Sequence, residues 1–241
     1  MGLRPPLLRC TISPMKILAL ETTEKFGSVA LLNDTHVLAE IILPKDRRSS
    51  QTLHPAMHSL FETTQIAPAD IDLVAIVAGP GSFTGLRVGV TAAKVFAYST
   101  GAKVVALDTF ETIAFGSADT VCGSLSVGVD AQRGEVVAAV LRRTDDGHIE
   151  TVKEPELIPV ADWWKHAEQY NDIEFTGPAL ERWSAKAPSH IALAPECDWF
   201  PRASVAGKLA LSREYDDVLR LQPIYSRPSA AEERKQKSGG R

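Results

Sequence analysis

Two polar stretches carry the residue types that bind anions. In Glu21-Thr22-Thr23 two hydroxyls follow an acid at a turn, where side chains and turn amides can donate to a negatively charged group. In Gly79-Pro80-Gly81-Ser82-Phe83-Thr84-Gly85 the glycines permit close backbone approach, and the helix expected to follow aims its N-terminal amides at the same spot. The phosphate-loop-like set is therefore Glu21, Thr22, Thr23, Gly79, Gly81, Ser82, Thr84 and Gly85. The second stretch lacks the Gly-Lys-Ser ending of a Walker loop and the spacing of the dinucleotide fingerprint, and a glycine loop of this kind alone is more often a structural turn than a phosphate site. Phe83 within it either anchors the loop in the core or is offered to a partner.

Other candidates carry weaker chemistry. His54 and His58 share one helix face at a spacing that suits a metal. A third ligand is missing, and Pro55 stands where the H-E-x-x-H motif has its glutamate, so a surface or interface role is expected. Asp130 closes a strand and pairs by symmetry with Glu21; the plainer reading is a turn residue bonding its own backbone. Arg87 and Lys94 read as one solvated helix face. There is no Ser-His-Asp order and no nucleophile elbow, and Cys122 lacks a basic neighbour, which leaves a binding scaffold as the reading of the chemistry alone.

The elements that must position these residues follow from periodicity. Ile17–Leu20, Phe26–Leu32 and Val37–Ile42 are apolar runs broken by polar turns, the pattern of an antiparallel meander. A helix follows, with Leu53, Met57, Leu60 and Phe61 in phase, Ser49 or Ser50 as its cap, and Pro55 in its first turns. After the turn Pro68-Ala69-Asp70, Leu73–Ala78 is apolar without alternation, as in a strand covered on both faces. It runs into the glycine loop, then a helix through Leu86, Val90, Ala93, Val95 and Ala97 that ends near Gly101, then a strand over Lys103–Leu107. The hairpin logic repeats at Leu125–Asp130 and Glu135–Leu141. Beyond Thr144 the signal weakens to a helix over Val160–Tyr170, a strand at Phe175 and a helix over Ala203–Arg213.

Composition bounds the class. The 241 residues hold 26 Lys+Arg against 30 Asp+Glu, a formal charge of −4, and 44% are hydrophobic, which excludes a disordered or fibrous chain. The slight negative charge offers no global attraction to phosphate backbones. The 3 cysteines (Cys10, Cys122 and Cys197) form neither a disulfide framework nor a metal pattern, so a cytoplasmic location is expected. No apolar run has the length of a membrane span. Residues 1–14 read as a disordered leader and 229–241 as a disordered tail, where Arg234, Lys235, Lys237 and Arg241 are solvated charges.

Four strings, in order, resemble the bacterial TsaB family, also called YeaZ: Met15–Thr23, Gly79–Gly89, Asp130-Ala131-Gln132-Arg133-Gly134-Glu135-Val136, and Pro223-Ile224-Tyr225-Ser226-Arg227. Ser226 departs from the usual leucine, and the 14-residue leader is unusual. The resemblance implies an α/β, actin/Hsp70/sugar-kinase-like (ASKHA) two-lobed fold, with a first lobe over 15–120 and a reduced second lobe over 121–228. It implies a non-catalytic partner of a TsaD-like paralogue that transfers threonylcarbamoyl to N6 of adenosine 37 in tRNAs reading codons that begin with A. A TsaE-like ATPase joins the assembly, a TsaC-type enzyme supplies the adenylate, and tRNA is met only through the complex. No cofactor is expected of the chain itself; nucleotide belongs, if anywhere, at the heteromeric interface. The paralogue's metal motif H-x-x-x-H has no histidine in the matching stretch Leu107–Ala114. The implied partner face, in a heterodimer or in a homodimer of the chain alone, holds His54, Met57, His58 and Phe61 from one helix and Arg87, Val88, Thr91 and Val95 from the next. The competing reading is an ATP-dependent kinase or hydrolase of the actin-like fold using Glu21, Thr22, Thr23 and Asp130; a zinc peptidase fails on ligand count.

Overall fold

The computed structural model describes residues 14–117, 123–144 and 146–226. The expected tail, the leader apart from Pro14, and Cys10, Cys122 and Arg227 lie outside the described residues.

The meander forms as expected. β1 (Lys16–Glu21), β2 (Ser28–Asn33) and β3 (His36–Ile42) pair antiparallel, Ile17 opposite Leu32 and Val29 opposite Ile41. After α1 (Ser49–Thr64), β4 (Leu73–Gly79) lies parallel to β1; after α2 (Phe83–Thr100), β5 (Lys103–Asp108) lies parallel to β4, giving the order β3-β2-β1-β4-β5. Side chains alternate across this sheet. Leu18, Leu20, Val74 and Ile76 pack under α1 and α2, whereas Ile17, Ala19, Ala75 and Val77 meet a helix from the far end of the chain. Every residue of β4 is buried, which explains its unbroken apolar run.

α1 departs from its expected start. Arg48 is its N-cap residue and no side chain caps it; Pro55 is the seventh helical residue, so its missing N–H falls in the interior and not among the free first-turn donors.

α3 (Thr109–Gly116) was not expected. Asp108 caps it, accepting from Phe110 N at 2.7 Å and Glu111 N at 3.2 Å, and Phe110, Ile113 and Ala114 pack on Val127, Val137 and Ala139 of the second sheet. That sheet repeats the first. β6 (Ser124–Asp130), β7 (Glu135–Arg143) and β8 (Ile149–Pro159) form a meander, and β9 (Ile173–Thr176) lies parallel to β6, in the order β8-β7-β6-β9. In place of one helix over 160–170 there are two short ones, α4 (Val160–Trp163) and α5 (His166–Gln169); α6 (Leu180–Trp183) follows β9. Their aromatic residues Trp163, Trp164 and Trp183 build the second core with Phe175.

α7 (Ala203–Ala210) returns to the first sheet, ending earlier than the Arg213 expected. Its N-terminal amides are capped from a distance: Ala203 N donates to Ser28 Oγ at 2.8 Å and Ser204 N to Glu40 Oε1 at 3.0 Å. The chain then straps along the same lobe, with Asp216 N bonded to Val104 O and Ile224 N to Ala78 O, both at 2.8 Å. Residues 203–224, which sequence order places in the second lobe, thus pack on the first sheet.

Candidate functional site

The two loops singled out by their residue types meet. β1 delivers Glu21, Thr22 and Thr23 into full burial at the carboxyl end of the sheet, where β4 runs into the glycine loop. Thr22 Oγ1 donates to Gly85 O at 2.8 Å, and Ser82 N donates to Thr23 O at 2.7 Å. A Cβ on Gly81 would stand 2.5 Å from the Thr23 carbonyl oxygen; one on Gly85 would strike the Thr22 carbonyl, and one on Gly89 the Thr22 hydroxyl. The glycines therefore permit close approach of protein to protein, and the Thr22 hydroxyl and the Ser82 amide are spent across this contact. Thr84 and Ser82 face solvent; Ser82 is the N-cap of α2.

Glu21 bonds locally. Its Oε1 accepts from Thr23 N at 2.5 Å and Thr23 Oγ1 at 2.6 Å, while Oε2 is buried without a partner. Burial pushes this carboxyl up to about 8 against the bonds from Thr23 and the Glu24 backbone, which favours its neutral form near pH 7. Asp130 occupies the equivalent end of β6 and takes the plainer role: it accepts from Gln132 N at 3.0 Å and pairs with Arg182 at 3.4 Å. A residue that sequence reading missed, Glu24, sits half-buried between them. Burial first, then the charges of Glu21, Asp130 and Glu181, hold its carboxyl at about 8. Its importance comes from the approach of α6, which no local pattern announces.

On the other side, α1 and α2 cover the sheet with their outer faces open. His54, His58, Arg87, Thr91 and Val95 are exposed, Phe61 and Val88 are half-buried, and Met57 is in the core at 7% exposure. His58 pairs along the helix with Glu62 at 3.3 Å, and Phe61 stacks on Phe96 at 5.8 Å. Arg87, exposed, and Lys94, half-buried, do more than form a solvated face. Arg87 lies 3.9 Å over the Phe83 ring and donates to Tyr225 Oη at 3.0 Å, while Lys94 donates to the Leu219 and Leu221 carbonyls at 2.9 and 3.3 Å. Both tie the C-terminal strap to α2. Val95, Tyr98 and Leu219, 63%, 76% and 71% exposed, line an apolar groove beside it.

Among the described residues no group of three or more His, Cys, Asp or Glu is placed to hold a metal ion, and no helix is long and apolar enough to cross a membrane. Leu107–Ala114 is the end of β5 and the start of α3.

Repeated meanders, a parallel strand added to each, and a glycine loop opening a long helix define the class. Residues 36–210, from β3 to the end of α7, match the family model described as TsaD: tRNA N6-adenosine threonylcarbamoyltransferase, a two-lobed actin/Hsp70/sugar-kinase-like α/β fold. The chain belongs to the TsaB family: it is 32% identical over 225 residues to the tRNA threonylcarbamoyladenosine biosynthesis protein TsaB of Bacillus subtilis (strain 168), covering 90% of this chain and 96% of that one. The protein of the same name from Escherichia coli (strain K12) is 32% identical over 150 residues, 60% of this chain and 64% of that one. Two solved structures from Pseudomonas aeruginosa share the fold. YeaZ has a TM-score of 0.71 at 24% identity, covering 88% of this chain and 99% of that one. An uncharacterized protein with similarity to peptidase YEAZ has 0.74 at 23%, covering 88% and 100%.

Proposed function

We propose that this chain is the non-catalytic partner of a TsaD-type transferase in threonylcarbamoylation of N6 of adenosine 37 in tRNAs that read codons beginning with A. The observation that carries the reading is the contact of Thr22 and Thr23 with Gly81, Gly85 and Gly89: the space between the loops is filled by the chain's own atoms. An actin-like kinase or hydrolase would need that space for phosphate. The names of the curated relatives supply the pathway, and the match to a TsaD-type family model supports pairing with a paralogue.

In this reading the partner is a TsaD-like chain, docked on the exposed outer residues of α1 and α2; a TsaE-like ATPase joins the pair, and the chain alone forms a homodimer through the same face. Transfer chemistry, nucleotide and tRNA contact belong to the complex, in the cytoplasm. The test is threonylcarbamoyl transfer to tRNA with cognate TsaD-like, TsaE-like and TsaC-like proteins. Product that requires this chain, and is absent when the TsaD-like protein is withheld, supports the reading. Product formed equally without this chain, or by this chain without its TsaD-like partner, overturns it.

A further inference from the structure

The seam between the two sheets is crossed on one side by a compact set of contacts that neither loop packing nor a partner face explains. Phe26, in the turn after β1, meets Phe200 edge-on, with centroids 4.9 Å apart at 65°. Lys45, in the segment after β3, holds its ammonium 4.1 Å over the Phe26 ring and 2.7 Å from Glu181 Oε1 on α6. Beside them Glu40 of β3 takes Arg202 at 2.6 Å and Ser204 Oγ at 2.8 Å. Glu181 and Arg182 divide the work of α6: the first reaches across the seam and the second holds Asp130 of its own sheet.

Near these contacts lie two carboxyls that are poorly served. Glu21 is fully buried with one oxygen unpartnered, and faces Glu40 on β3; Glu24 faces Glu21, Asp130 at the end of β6 and Glu181 on α6, against the adjacent Lys25. We propose that Phe26, Lys45, Glu181 and Phe200 form a latch across the seam, and that its release is the motion that brings the buried Glu21 to solvent and exposes the half-buried Glu24 further.

The balance is set for release by modest means. The Lys45–Glu181 pair is itself solvent-accessible, with side chains 49% and 36% exposed, so it holds weakly and is screened by salt. Opposing it, water would relieve the desolvation of both carboxyls. Both are held at about 8, so the closed form carries the protons; its advantage falls as pH rises from the ordinary carboxylate range through 8.

Amide hydrogen exchange on the full chain tests this, with rates corrected for the intrinsic effect of pH. Lys45→Met should speed exchange in residues 22–27 and 198–202 by up to about fivefold while leaving β4 unchanged, the limit set by a weak ion pair. High salt on the unaltered chain should act in the same direction. Raising the pH from near 7 to near 9 should also speed exchange in 22–27, and the double variant Glu21→Gln, Glu24→Gln should lose that dependence. Should Lys45→Met not fold, Glu181→Gln and the salt series carry the same expectation. Exchange in 22–27 and 198–202 that is unmoved by variant and salt, or that rises equally in β4, overturns the latch.

Discussion

The Thr22 hydroxyl donates to the Gly85 carbonyl across 63 residues of sequence, at 2.8 Å and in full burial. That bond closes the gap between the end of β1 and the start of α2 and makes the buried side of the glycine loop an internal packing joint.

The joint predicts an unusual pattern of glycine sensitivity. Gly85→Ala would drive its Cβ into the Thr22 carbonyl, an unyielding backbone group, and should cost about 3 kcal/mol or more of unfolding free energy. Gly101→Ala meets nothing within 4 Å and suffers only its φ of +80°, a cost of about 1 kcal/mol. Urea unfolding of the two variants compares them. Equal, small losses would mean that the loop is an open cradle after all.

Glu21 makes stability fall toward alkaline pH. Its carboxyl is raised from 4.5 to about 8, so between those values the folded chain holds a proton that the unfolded chain has released. The stability tied to that proton is complete below 4.5 and is lost as pH rises through 8. Glu21→Gln keeps an acceptor for Thr23 and has no charge to desolvate. Its melting temperature should therefore match the parent's near pH 5 and exceed it increasingly toward pH 8.5, by an amount equivalent to a few kcal/mol. Parallel melting curves across that range would remove the neutral buried acid from the account.

His166 acts in the opposite direction, in the second core. Its Nδ1 lies 2.9 Å from Ser126 Oγ, which also accepts from Trp163 Nε1 at 2.8 Å, and its Nε2 lies 3.3 Å from Lys153 Nζ. Burial, then the Lys153 charge, lowers the imidazole from 6.5 to about 4. Between those values the unfolded chain binds the proton and the folded chain does not, so the stability is present above 6.5 and is lost as pH falls through 4. The loss should reach on the order of 3 kcal/mol, and His166→Gln should flatten it in urea midpoints taken from pH 7 down to 4.5. A variant with the parent's slope would assign the acid sensitivity to other groups.

How much of this could be read from the residues depends on whether the cause is local. The unbroken apolar run of β4, the first meander of apolar runs broken by polar turns, the β6–β7 hairpin and the glycine loop are determined by neighbours in sequence, and they stand where expected. β8 escaped because it is an edge strand carrying Glu150, Lys153, Glu154 and Glu156 with Pro155 inside it, the composition by which edges resist further pairing and which also hides them. α3 escaped although Asp108 and Glu111 stand in capping-box order, because its apolar residues continue the run of β5. The roles of Arg87 and Lys94 were out of reach: their acceptors are 138 and 125 residues away. So was the state of Glu24, which depends on α6 arriving from the other sheet.

The proposed partner face separates from the core by exposure, and this gives a paired prediction. Met57 at 7% exposure is a core residue of α1, so Met57→Glu should unfold the chain, leaving a buried charge without a partner. Val95, 63% exposed on α2, should accept Glu with a stability change within about 0.5 kcal/mol. If α2 carries the contact with the TsaD-like chain, Val95→Glu and Tyr98→Asp should weaken association at least about tenfold, the scale of losing a central apolar contact. Calorimetry of the purified variants fixes the first part and titration against the TsaD-like chain the second. Folded variants that bind with the parent's affinity would move the contact off α2, and would leave the three most exposed large apolar side chains of the described residues, Tyr98, Leu219 and Val95, to another role.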